Sequence, residues 1–313
     1  MPLILRCLWT SYDYLSPTKI QDDIVVGGVV NFQMFSYPES FKKVGTWKMR
    51  NVLTVEQRLK NIPFPDPSGT SGVEQPVDMQ FTLPDYIYTS DDVTQVKIAV
   101  WDEKEDCWNH ALIAGDLQFK KSTRQVKFTS MKFAPIALLQ SRCTDYPYKN
   151  WWLRCVKEEV ALLDLWTKRL KLVFEIGPLY LKLIRNDEPE LQHLVDKEFS
   201  PGYLLQELSK CGIHLMPRDE DAKLAGIEQK DRGAEERAII DISLGVRAFH
   251  LRCCKWNQGI SPDNPGVGPD NIVMQIRENL EYDEYFEEDY EPDWSYVMWW
   301  NNKVSFVEGC KQS

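Results

Sequence analysis

Reactive chemistry in a protein needs a nucleophile with a base in reach, metal ligands at matched spacing, or a backbone cradle for phosphate. The side chains able to act as base or ligand here are His110, His193, His214 and His250, and the cysteines Cys7, Cys107, Cys143, Cys155, Cys211, Cys253, Cys254 and Cys310. No two histidines stand in the His-Glu-x-x-His spacing that aims two ring nitrogens from one helical face, and no cysteines form Cys-x-x-Cys. The nucleophile motif Gly-x-Ser-x-Gly is absent. Gly266-Val-Gly268 lacks a third glycine, and no alternating strand leads into it. Asp263, Asn264, Asp270 and Asn271 miss the spacing of a calcium loop, which also needs a closing Glu. Adjacent Cys253 and Cys254 read as burial of one thiol rather than a soft-metal site. The expectation is a protein without catalytic residues, metal or cofactor.

Charge and aromatic patterning point instead to surfaces. From Lys120 to Lys132 the chain carries Lys120, Lys121, Arg124, Lys127 and Lys132 and no acid. On a strand, Arg124 and Lys132 would share one face and Lys127 the other. The functional reading is a local basic patch that meets an acidic partner; the ordinary one is a solvated strand-and-loop surface. From Glu281 to Asp293 there are eight acids and no base, interleaved with Tyr282, Tyr285, Phe286 and Tyr290 and followed by Trp294. Dense like charge opposes compaction, so this reads either as a loose acidic loop or as a segment whose aromatics, Tyr285 and Phe286 among them, dock on a basic surface. Trp299 and Trp300 serve either as core anchors or as an interface hot spot.

The composition frames these features. The chain has 313 residues, 43% hydrophobic and 27% charged, an ordinary globular mix. Its charge is −10, from 37 bases and 47 acids. Such a chain repels nucleic acid and anionic membrane at long range, so neither is an expected partner. No apolar run reaches bilayer length, and Arg6 interrupts the apolar start. Scattered cysteines read as reduced thiols inside a cell.

Length predicts two domains. The expected divisions are a β segment over 1–60, a Pro/Gly linker over 61–76, a β-sandwich portion over 77–145, an α+β domain over 146–280 and an acidic aromatic segment over 281–313. Period-two alternation predicts strands at Val96-Ile98-Val100, at Val126-Phe128, at Leu170 to Ile176, at Leu179 to Leu183 and at Ile272 to Ile276. Gly27-Gly28 within Val25 to Phe35 marks a bulge or an edge. A helix is expected from Ser200-Pro201 to Gly212 with Leu204, Leu205 and Leu208 buried. Ile213 to Met216 reads as a short strand. A second helix is expected over Ala234 to Leu251, with Ile239, Ile242, Val246 and Phe249 inward. The fold class is therefore mainly β or α+β: an antiparallel sandwich, then a domain with two helices on a sheet.

Several short stretches carry a resemblance. Leu8-Trp-Thr-Ser-Tyr-Asp-Tyr-Leu-Ser16, Gly27-Gly-Val-Val-Asn-Phe32, Gly45-Thr-Trp-Lys-Met49, Val100-Trp-Asp102 with Trp108, and Phe133-Ala-Pro-Ile-Ala-Leu-Leu139 resemble the C-terminal half of the cancer susceptibility candidate family. Tyr146-Pro-Tyr-Lys-Asn-Trp151 and Lys255-Trp-Asn257 are its more recognisable spots here. That family is similar to axonemal dynein intermediate chains. The resemblance implies a non-enzymatic accessory subunit of the ciliary or flagellar axoneme. Its implied partners are axonemal dynein chains and tubulin or doublet-microtubule proteins, in a hetero-oligomeric assembly with a cytoplasmic pool. It supplies no catalytic residues. Family members carry a long charged N-terminal half, and nothing placed on that half transfers to this chain. The reading from another class is a cytosolic protein-binding scaffold.

Overall fold

Period-two alternation runs through most of the chain, and the computed structural model turns it into antiparallel sheets almost throughout. It describes residues 3–15, 17, 21–36, 41–49, 60–69, 76–89, 96–257, 266–279, 294–301 and 303–307. Two units emerge: Met1–Ser141 with Lys210–Gly212, and Arg142–Ser209 with Ile213–Ser313. The stretches expected as 1–60, 61–76 and 77–145 thus fall almost wholly in one unit.

The first unit contains β1 (Leu3–Thr10), β2 (Asp23–Ser36), the small hairpin β3 (Lys42–Val44) and β4 (Trp47–Met49), and β5 (Lys60–Ile62). It continues with β6 (Val77–Thr82), β7 (Val96–Asp102), β8 (Cys107–Asn109), β9 (Ile113–Lys120), β10 (Gln125–Ser130) and β11 (Pro135–Ser141). One sheet runs β1-β2-β11-β7-β8 with β5 added beside β2, and a second runs β6-β10-β9. Val26, Val30 and Phe32 of β2, Ile98 and Val100 of β7 and Ile136 and Leu138 of β11 pack against Met79, Phe81, Val126 and Phe128 of the second sheet. That is the core of a sandwich. The alternate residues Val29, Ala99, Trp101, Ala137 and Leu139 are also buried, with Trp108. Central strands buried on both faces explain why their sequences read as continuous apolar runs rather than clean alternation.

At Gly27-Gly28 the ladder between β2 and β11 slips, with Ala137 opposite Val29 and Leu138 opposite Val26. This is a bulge and not an edge, since β1 and β11 flank β2. Gly28 has φ +105°, and a Cβ there would stand 1.9 Å from the Thr10 carbonyl oxygen. Only glycine fits both the angle and the approach. Near the expected linker, Phe64 is buried and its ring lies 4.5 Å from that of Phe133, so this part of the stretch belongs to the packed unit.

The second unit holds one nine-stranded sheet. Its strands are β12 (Asn150–Lys157), β13 (Val160–Trp166), β14 (Lys171–Ile176), β15 (Leu181–Asn186), β16 (Glu198–Phe199), β17 (Phe249–Arg252), β18 (Ile272–Glu278), β19 (Ser295–Trp300) and β20 (Lys303–Val307). They run in the order β16-β15-β14-β13-β12-β17-β18-β19-β20, all antiparallel. Three α-helices are described: α1 (Pro201–Lys210), α2 (Asp219–Ala225) and α3 (Arg232–Gly245). The sequence predicts two; the seven-residue α2 is too short to show a period.

Helix α1 matches its expected span. Leu204 and Leu208 are fully buried, and Gly212 adopts φ +87° just after the last turn. Two expectations are corrected. Ile213 to Met216 belongs to no strand; Ile213 and His214 are buried without a ladder partner among the described strands. Helix α3 ends at Gly245 and Phe249 opens β17, so the expected span fuses a helix, a turn and a strand. Its buried stripe is Ala234 and Ala238, with Ile242 and Val246 beside them, against Ile272, Met274 and Val297 of β18 and β19. Ile239 points outward and is 63% exposed. Small alanines let the helix approach the sheet closely, and an apolar stripe read by residue size alone misses them.

Candidate functional site

A concavity with both aromatic and charged walls lies within the second unit, an open cleft of about 670 Å³ among the described residues. That volume falls in the usual range of ligand sites. One wall is the run Tyr146 to Trp151 leading into β12, and another is Arg252 to Asn257 leaving β17. Ile227, Glu235, Gln275 and Tyr296 complete it. These two walls are the segments Tyr146-Pro-Tyr-Lys-Asn-Trp151 and Lys255-Trp-Asn257 singled out in the sequence. About a hundred residues separate them, and the β12–β17 ladder, pairing Trp152 with Arg252 and Leu153 with Leu251, brings them together.

Each wall is fixed from behind. Asp145, fully buried, precedes the first wall. Its carboxylate accepts two hydrogen bonds from Arg169, Nε and Nη2, each 2.8 Å long, and one from the His214 backbone N–H at 2.9 Å. Arg142 meets Asp221 of α2 through Nε at 2.8 Å and Nη2 at 2.9 Å, both side chains buried. Burial alone would raise the Asp221 carboxyl, but the Arg142 guanidinium and the Arg218 backbone N–H bring it below its ordinary value. The bidentate, charge-assisted Asp145–Arg169 pair is directional as well as strong, so it helps set where the Tyr146 to Lys149 run leaves the core. Tyr148 donates to the Leu215 carbonyl at 3.4 Å. Burial, then the Asp145 charge, pushes its phenol up to about 12.

The second wall is held by Cys253, whose backbone N–H donates to the Trp151 carbonyl at 3.1 Å and whose thiol donates to Asn150 Oδ1 at 2.8 Å. Asn257 accepts from the Val273 N–H at 2.8 Å and donates back to the Val273 carbonyl, tying the end of this wall to β18. Arg252 Nε donates to Gln275 Oε1 at 2.6 Å, and its guanidinium stacks 4.2 Å from the Trp294 ring.

Burial pushes the Cys253 and Cys254 thiols up, the opposite of an activated thiolate. Burial, then Asp219 and Asp231, also raises the Glu235 carboxyl. Lys149, Arg252 and Lys255 supply positive charge, while Tyr148, Trp151, Trp256 and Tyr296 supply flat apolar faces. Among the described residues no group of three or more His, Cys, Asp or Glu is placed to hold a metal, and no helix is long and apolar enough to cross a membrane.

The residues singled out by charge and aromatic pattern are dispersed. Lys120 ends β9 and Lys127 lies on β10 opposite Gln118. Lys127, Gln118, Gln80, Asp78 and Thr129 line a shallow polar depression on the second sheet of the sandwich. Lys121 sits in the turn between β9 and β10, and Lys132 in the loop after β10. Arg124 does not share a strand face with Lys132. It takes the left-handed conformation, φ 51°, in that same turn. Its guanidinium donates to the Pro84 and Ile87 carbonyls, at 2.8 Å for Pro84, and so ties down the connection after β6. Trp299 is buried against α3, with Nε1 donating to Asp241 at 2.9 Å, while Trp300 is 45% exposed on the other face of β19. Tyr285 and Phe286, like all of 281–293, lie outside the described residues. The cleft itself carries a signal in the sequence, since each wall is one of the stretches that carry the family resemblance. What was missing was the pairing that joins them.

No protein-family model matches the chain. It is 22% identical over 275 residues to Dynein axonemal intermediate chain 7 from Danio rerio, a match covering 84% of this chain and 36% of that protein. The chain therefore spans about a third of its curated relative's length. The match supports a dynein intermediate-chain-like relationship at family level.

Proposed function

We propose that this chain is a non-enzymatic accessory subunit of axonemal dynein, working in the ciliary or flagellar axoneme. It takes part in a hetero-oligomer by docking onto a dynein arm or its doublet-microtubule base, after assembly from a cytoplasmic pool. The observation that carries this reading is the match, over most of the chain, to a protein named as an axonemal dynein intermediate chain. The cleft agrees in kind. It has walls suited to holding a segment of another protein and thiols held in their unreactive form.

An acidic chain has no bulk attraction to the acidic surface of tubulin, so docking uses local faces. Lys120, Lys121 and Lys127, at and beside the β9–β10 turn, offer a basic one, within reach of a partner at a screening length of about 8 Å. Trp300 offers a separate apolar contact.

Fractionation of isolated flagella tests the reading. The chain is expected in the axonemal pellet, released with the dynein arms by high salt, and crosslinked to dynein subunits. Charge reversal at Lys120, Lys121 and Lys127 should lower the salt concentration at which it is released. Recovery only in the soluble cytoplasmic fraction would overturn the reading in favour of a cytosolic scaffold.

A further inference from the structure

The small hairpin of the first unit belongs to neither sheet of the sandwich. Its strands β3 (Lys42–Val44) and β4 (Trp47–Met49) make a two-stranded sheet of their own. Gly45, at φ 62°, opens the two-residue turn between them, a backbone that tight hairpin loops ask of their first position. Lys42 pairs with Met49, Lys43 with Lys48 and Val44 with Trp47. Every residue from Phe41 to Met49 is exposed, Trp47 at 75%. A lone two-stranded ribbon is marginal in water, and this one has no buried residue to hold it.

Its root on the sheet is fixed. β2 and β5 pair Ser36 with Lys60, and the Ser36 hydroxyl donates to the Lys60 carbonyl at 3.4 Å, so the chain that leaves β2 for the hairpin returns to the same spot. Opposed residues of an antiparallel pair share a face, and faces alternate along a strand. Lys42, Val44, Trp47 and Met49 therefore form one face, and Lys43 and Lys48 the other. Like charges directly opposite each other destabilise a ribbon, and among the described residues neither lysine has an ion-pair partner. An apolar face and a cationic face thus stand back to back, and each is improved by contact with something outside the ribbon.

We infer that the β3–β4 ribbon is a docking finger that enters a groove on a partner protein, one wall of the groove apolar and the facing wall lined by carboxylates. Trp47 fills the apolar wall with Val44 and Met49 beside it, and Trp is enriched at such anchor positions. Lys43 and Lys48 share the acidic wall, where a carboxylate relieves their mutual repulsion. A bilayer takes only one of two opposed faces, and the chain's charge of −10 opposes approach to an anionic one; a groove takes both faces at once. The inference rests on the docking reading above for its assumption that the chain is held among protein neighbours. It adds which element reaches out and what that element must meet.

The test pellets the full purified chain with axonemes stripped of their arms by high salt, and places the photo-crosslinker benzoylphenylalanine at Thr46, in the turn, to map the neighbour by mass spectrometry. Saturable pelleting is expected. Trp47→Ala should weaken it about tenfold or more. The Lys43→Glu, Lys48→Glu double variant should lose a comparable factor at about 0.05 M salt and less at about 0.2 M, whereas the loss in Trp47→Ala should change little with salt. All three side chains are exposed, and circular dichroism of the variants checks that they fold. The crosslinked peptide should come from another protein and carry apolar and acidic residues together. A crosslink to residues 281–293 or to a second copy of the chain would overturn the inference, by making the chain its own partner. So would pelleting with phosphatidylserine vesicles that both variants lose, which points to a membrane finger. Wild-type pelleting that both variants leave unchanged sinks this inference alone. If the wild-type chain does not pellet, the dynein reading falls, and the same crosslink made in intact cells decides the inference: an acidic groove of a cytosolic protein upholds it, and the absence of any product overturns it.

Discussion

The two units solve the problem of folding a sheet differently. The first buries its main sheet on both faces with apolar side chains, and Val29, Val30, Ile136 and Ala99 are almost wholly shielded. The second spreads nine strands into one sheet and buries ion pairs at its start: Asp145 with Arg169 and Arg142 with Asp221. Apolar packing is tolerant of direction, because it depends on area and volume. Buried ion pairs are not, because misalignment leaves a charge uncompensated. The contrast is one of direction: the sandwich rests on apolar packing, while the unit with the cleft has its loops placed by directional bonds.

The sharpest way to break this comparison is to remove a partner from the polar network. Asp145→Asn should cost about 3–5 kcal/mol, since it leaves the Arg169 guanidinium buried without its countercharge. Urea unfolding measures it, and a loss below about 1 kcal/mol would mean that the network is ornamental. A smaller effect is expected on the apolar side of the same unit. Ala238→Leu should cost about 1–3 kcal/mol by overpacking the contact between α3 and the sheet, read from the thermal midpoint.

Smaller again is a slope with pH. Burial, then the Arg142 charge, holds the His214 imidazole below its ordinary value, against the opposing pull of Asp221 and Asp145. The folded state thus binds fewer protons than the unfolded chain once pH falls below about 6.5. Stability should decline from there down to the folded-state value, and His214→Gln should flatten that decline. Asp221, whose folded value is lowered, contributes stability that is lost only at still lower pH, below about 3.9. The two losses therefore separate in a pH titration of unfolding. The smallest effect is expected at Ile239→Lys, within about 0.5 kcal/mol, because that side chain faces solvent.

The last pair of α3 substitutions also shows where the sequence was legible. Period-two runs such as Val96-Ile98-Val100 and Ile272-Met274-Ile276 state their strands directly, because side chains on a pleated sheet alternate whatever the neighbours are. The end of α1 was equally plain, since Gly212 after a leucine stripe leaves few alternatives. Helix α3 was misread because its inward face is alanine, and alanine carries little contrast against exposed isoleucine. Arg124 looked like a surface cation because sequence shows charge and not the carbonyls that a left-handed turn brings to it. The cleft was half legible: both walls were noticed, but a ladder between distant strands leaves no local mark.

The assignment of Lys210–Gly212 to the first unit has a practical corollary for dissecting the molecule. Cys211 accepts from the Tyr88 N–H at 2.8 Å, and Gly212 accepts from the buried Gln140 side chain at 2.7 Å. A fragment cut after Ser141 would forfeit both acceptors, and its complement would keep a three-residue plug with no socket. Deletion mapping of any partner would then register misfolding as lost affinity. Point substitutions on an intact polypeptide are the cleaner way to divide the labour between the halves.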